Sequence, residues 1–229
     1  MVLVTRTRRV SIVPLAHRSV AARPSASAAG HPLAAAAIAV LAGLVIGIGT
    51  QLLQGRLPRS WDVLANSGVV WALGAFAVGT VMMSVRTAAF GGATAMVLAS
   101  LSYYWAVDWL EGITSDGRGA LIWSLARLVA GPAFGIAGHL VRTRPDQRWL
   151  ALAPVAGILI GEGTHLVWFV GVDDLWPAGV VELALGASLA VMAVTRDRRR
   201  MLVLVLVGAA ASVHRLASIV IEAGFGIPR

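Results

Sequence analysis

The chain has 229 residues, 58% of them hydrophobic and 13% charged, with a mean hydropathy of +0.79. Charged residues make up about a quarter of an ordinary soluble domain, so these values exclude that class and point to an integral membrane protein. The formal net charge of +8 would suit a nucleic-acid surface only if the basic residues formed one patch; they stand in short clusters between apolar runs, and no nucleic-acid partner is expected. The absence of cysteine excludes disulfides, thiolate metal sites and cysteine nucleophiles. All 19 basic residues are arginine, which together with abundant Ala, Val, Leu and Gly suits a GC-rich bacterial genome.

Residues 1–31 mix arginine with Pro, Ser and Ala and read as a disordered or membrane-surface lead-in. Thr7-Arg8-Arg9-Val10 is similar to a twin-arginine export signal, but the apolar stretch behind it stops at His17 and Arg18, so an export reading fails. A spanning helix needs roughly 20 mainly apolar residues. Seven segments within residues 32–222 qualify: Leu33 to Leu53, Gly68 to Val85, Ala88 to Leu110, Ala120 to Val141, Trp149 to Val170, Ala178 to Thr195 and Met201 to Ile221. Residues 223–229 form a short C-terminal tail. The expected fold is an all-α transmembrane bundle of about seven helices.

Arginine placement orients it. Thirteen arginines (6, 8, 9, 18, 23, 86, 142, 144, 148, 196, 198, 199 and 200) fall on one side, four (56, 59, 118 and 229) on the other, and Arg127 and Arg215 fall inside helices. The N-terminus is therefore expected in the cytoplasm, the C-terminus outside, and the chain in the plasma membrane of a bacterium.

Helices associate in lipid through small residues at helical spacing. Gly43 and Gly47, Gly131, Gly135 and Gly138, Gly157 and Gly161, and Gly179 and Gly186 supply such faces, and Pro132 is expected to kink the fourth helix. Polar residues share these faces. Arg127 lies one turn before Gly131, and Glu182 is flanked by Gly179 and Gly186.

At about 1.5 Å rise per residue, Glu162, His165, Arg127, Glu182 and Arg215 all fall in the outer half of the membrane, with Asp108 closing the third helix on that side. A buried charge there costs about 2.5 to 3.5 kcal/mol on insertion scales, so pairing of Glu162 and Glu182 with Arg127 and Arg215 is expected. Such a cluster reads as a polar cavity for a small solute or ion, as interhelical ion pairs that only fix packing, or as an intramembrane enzyme site. His165 is expected to hydrogen-bond a neighbour, with Glu162 among the candidates. Glu162 and His165 match one copy of the Glu-x-x-His metal motif, whose template needs a second copy and further glutamates; no metal and no cofactor is expected. Most tryptophans and tyrosines gather near the outer end, as an interfacial belt would.

The segments QLLQGRLP (51–58), LANSGVVW (64–71), AGPAFGIAG (130–138), GILIGEG (157–163) and WPAGVVELALG (176–186) resemble an actinobacterial family of multi-pass membrane proteins of unknown function. The resemblance covers about residues 33–195 and implies a shared polar site containing Gln51, Asn66, Ser67, Glu162 and Glu182. It implies no activity. Solute or ion binding, with or without transport, is the leading expectation. A structural or partner-binding membrane subunit is the alternative.

Overall fold

The structure is a computed structural model that describes residues 32–112, 117–170 and 173–225. The expected N-terminal tail lies outside the described residues. So does the end of the C-terminal tail; its first three residues belong to the last helix.

The described residues form helices and no strand. In chain order these are α1 (Pro32–Leu53), α2 (Arg59–Asp62), a 3-10 turn (Val63–Asn66), α3 (Gly68–Val81), α4 (Val85–Glu111), α5 (Arg118–Thr143), α6 (Arg148–Trp168), α7 (Trp176–Arg196) and α8 (Arg200–Phe225). Five helices, α1 and α5 to α8, are long and apolar enough to cross a membrane. The unit of α2, the 3-10 turn and α3 meets the same standard as a broken span bent by 44°. With 27 residues, α4 is long enough, but Gly, Ser, Thr, Tyr and Trp dilute its apolar content. It packs against α1, α3 and α5, so much of its surface meets protein and small residues serve it better than leucine.

The second helix was expected to run on to Val85 but stops at Val81 because Ser84 begins a new helix. The Ser84 hydroxyl accepts from the Thr87 N–H at 3.1 Å and the Thr87 hydroxyl accepts from the Ser84 N–H at 3.0 Å, a reciprocal cap. The turn frees the Met82 carbonyl, which accepts from Arg142 Nη2 at 2.7 Å and faces His139 Nδ1 at 3.0 Å. Pro132 lies inside a continuous α5.

Two sub-bundles emerge from the packing: α1, α3, α4 and α5 in one, α6, α7 and α8 in the other. Glycine permits the closest approaches. A Cβ on Gly135 would lie 2.1 Å from the Ala88 carbonyl oxygen, and one on Gly79 would lie 1.9 Å from that of Gly135. The sub-bundles meet through an apolar cluster in which Val69, Trp71, Ala72, Met96 and Phe134 pack with Val155 and Leu159 of α6. At the end of the bundle carrying the α1–α2 and α4–α5 connections, Arg59 pairs with Asp174 at 2.9 Å. Side chains such as Val45, Phe90, Val129 and Val205 face outward, more than three-fifths exposed (62–77%).

Gly135→Ala is expected to push α4 and α5 apart and lower stability by about 1 to 3 kcal/mol. Gly49→Ala, where nothing lies within 4 Å of an added Cβ, should leave the thermal unfolding midpoint in detergent unchanged or slightly raised.

Candidate functional site

The break between α2 and α3 falls at Ser67, whose extended backbone (φ −76°, ψ 135°) separates the 3-10 turn from α3. A helix that begins inside a bundle exposes unsatisfied N–H groups and a positive dipole end. The Ser67 hydroxyl accepts from Val69 N at 3.1 Å and Val70 N at 3.4 Å. Glu162 of α6, 6% exposed, reaches the same place, its Oε2 accepting from Val69 N at 3.0 Å. Gly68 makes room: a Cβ there would sit 2.9 Å from Glu162 Oε2.

The local sequence Gly161-Glu162-Gly163 aims this carboxyl. A Cβ on Gly161 would lie 3.0 Å from His214 Cβ and 3.1 Å from the Ala211 carbonyl oxygen, so this glycine admits α8. A Cβ on Gly163 would lie 2.7 Å from the Gly179 carbonyl oxygen, so that glycine admits α7. Glu162 projects between the two approaches toward the start of α3.

From α7 comes Glu182, 3% exposed, with Oε1 accepting from the Ser67 hydroxyl at 3.5 Å. Its Oε2 is buried and has no hydrogen-bond partner among the described residues. The two carboxyls act on each other electrostatically, and Ser67 touches both. His214 adds a neighbour that the candidate set omits: its Cε1 lies 3.7 Å from the position a Gly68 Cβ would take, and its buried Nε2 has no hydrogen-bond partner among the described residues. The legible signal was the face Val207, Ala210, Ala211 and His214, which packs on Gly157 and Gly161.

The expected ion pairs are absent. No salt bridge joins Glu162 or Glu182 to Arg127 or Arg215 among the described residues. Arg127, 8% exposed, lies with its guanidinium carbon 3.3 Å from the Trp71 ring centroid and 5.0 Å from that of Trp123. A desolvated cation–π contact of this kind is worth about 2 kcal/mol or more, comparable with the insertion cost of the charge, so aromatic faces replace the carboxylates as its stabiliser. Arg215 instead donates from Nη1 to His165 Nδ1 at 2.9 Å and lies 3.8 Å from the Phe169 ring centroid. The hydrogen bond expected of His165 goes to Arg215.

The other candidates join other networks. Gln51 Nε2 donates to Glu111 Oε1. Asn66 is exposed and donates to the Tyr103 hydroxyl at 3.5 Å, which in turn donates to Gln54 Oε1 at 3.0 Å. Asp108 is half-buried near the end of α4. Among the described residues no group of three or more His, Asp or Glu converges as a metal site would. Of the expected constellation, Ser67, Glu162 and Glu182 come together.

A family model described as a family of unknown function (DUF6518) matches residues 26–225. The match extends past the 33–195 of the sequence resemblance and takes in α8 with His214 and Arg215. No curated protein and no solved structure matches the chain.

Ser67→Ala removes the helix cap and one donor to Glu182, and is expected to cost about 1 to 3 kcal/mol. Ser188→Ala is the control, because that exposed hydroxyl bonds only the Ala184 carbonyl of its own helix at 2.7 Å; it should stay within about 0.5 kcal/mol. Chemical unfolding in detergent compares the two.

Proposed function

The chain belongs to the DUF6518 family of unknown function, and we propose that it is a bacterial plasma-membrane protein that binds a small cation, the proton included, at Glu162 and Glu182. In this reading α4 and the broken α2–α3 unit also cross the bilayer, making seven spans with the N-terminus cytoplasmic and the Ser67 break in the outer half. The bilayer is its first partner. Movement of the α6–α8 sub-bundle against the α1–α5 sub-bundle would open the pair and make the protein a transporter.

One observation carries the proposal: two carboxyls, 6% and 3% exposed, share Ser67 with no basic side chain at ion-pair distance among the described residues, and Glu182 Oε2 lacks any partner. Each isolated charge at such depth costs about 2.5 to 3.5 kcal/mol, and two like charges also repel. A proton or small cation held at Ser67 removes the repulsion and neutralises one of the two charges. The α3 dipole stabilises the carboxylate nearest it, Glu162, and leaves Glu182 as the group with free capacity. A purely structural subunit is the second reading, favoured by the way Glu162 caps α3 and ties α6 to it.

Unfolding of the purified chain over series of Na⁺, Li⁺, K⁺ and pH separates the two. Binding predicts that one of these ions raises wild-type stability by about 2.7 kcal/mol at 100 times its Kd. Glu162→Gln and Glu182→Gln, which keep the shape and lose the charge, should fold and lose that dependence. A folded wild type indifferent to every cation, or variants that respond as it does, would leave the structural reading.

A further inference from the structure

Arg127 has five N–H donors and a charge that does not titrate away at neutral pH, yet its Nη1 is fully buried and finds no acceptor among the described residues. Guanidinium hydrogens held at this depth without an acceptor are unusual, because buried donors in proteins are almost always paired. The aromatic faces of Trp71 and Trp123 stabilise the charge but give the Nη1 hydrogens no acceptor. Tyr103 packs edge-on against Trp71 with centroids 6.0 Å apart, and against Tyr104 at 5.2 Å, which sets both phenols beside the ring that carries Arg127. The Asn66–Tyr103–Gln54 chain of hydrogen bonds lies between this cage and the end of the bundle.

From this we propose that Arg127, walled by Trp71 and Trp123 and rimmed by Tyr103 and Tyr104, binds a small organic monocarboxylate. Charge matching selects the valence. A single guanidinium supplies one positive charge, and the other intrahelical arginine, Arg215, is engaged by His165, so a dianion such as phosphate would bring uncompensated charge into the bundle. Geometry selects the class, since a carboxylate takes two parallel N–H bonds from the guanidinium edge. The guanidinium covers the Trp71 ring, so the half-buried Trp123 and the Tyr103–Tyr104 pair are the aromatic surfaces left for a planar apolar body on the ligand. The site stands apart from the acid pair: Ser67 meets the carboxyls at the start of α3, and Trp71 holds Arg127 one turn further along the same helix.

The test uses the full chain in detergent at constant pH and ionic strength, with sodium benzoate, acetate, chloride and phosphate as probes and with 4-nitrobenzoate as a tryptophan quencher. Benzoate should raise the unfolding midpoint of the wild type and displace nitrobenzoate quenching, with acetate weaker and chloride and phosphate inert. Arg127→Lys, which keeps the charge without the fork, should lose at least tenfold in benzoate affinity, and Arg127→Gln should lose the response. Glu182→Gln should retain it. Equal effects of all four anions, an unchanged response in the Arg127 variants, or its loss in Glu182→Gln would overturn the proposal. Should Arg127→Gln fail to fold, the wild-type displacement series and Arg127→Lys decide.

Discussion

The start of α3 inside the bundle is the constraint around which the rest is arranged. A buried backbone polar group needs a partner, and breaking the helix at Ser67 frees N–H groups that the preceding turn cannot satisfy. The Ser67 hydroxyl and the Glu162 carboxyl meet this need together at Val69. Satisfying it with a carboxylate from another sub-bundle commits α6 to a fixed height against α3. It also brings Glu182, and the edge of His214, to the same point.

Close helix approach follows from that commitment. Glu162 reaches Val69 only because the glycines on either side of it let α7 and α8 come in at the same level. In the other sub-bundle, Gly79, Gly92, Gly131 and Gly135 bring α3, α4 and α5 into backbone contact, leaving room in the wall for Trp71, a fully buried large side chain. Trp71 is then available as a platform for Arg127. The acids and the arginine are thus served by neighbouring turns of one helix but stabilised by different physics: hydrogen bonds and a dipole for the carboxyls, a ring quadrupole for the guanidinium.

The separation of these charges departs from the pairing expected on grounds of insertion cost. Depth alone placed two acids and two arginines together and electroneutrality suggested that they meet. Rotation about each helix axis decided otherwise, turning Arg127 toward Trp71 and Trp123 and Arg215 toward His165 and Phe169. Aromatic faces hold the arginines and a helix start holds Glu162, so neither charge draws the other across the bundle.

Much of the architecture was legible in the sequence because the bilayer imposes a one-dimensional rule: roughly 20 apolar residues per crossing. Apolar length located seven of the eight α-helices among the described residues, their ends within about four residues, and small-residue spacing marked the glycines that pack at Gly43, Gly135 and Gly161. Depth along a helix is also one-dimensional, so Glu162 and Glu182 were legible as residues at the same level. What only the tertiary structure decided was direction and partnership. The break at Ser67, the cap at Ser84 that ends α3 early, the cage around Arg127 and the approach of His214 all depend on how helices are rotated and tilted against one another. Periodicity within a single helix carries no information about which face of another helix it will meet.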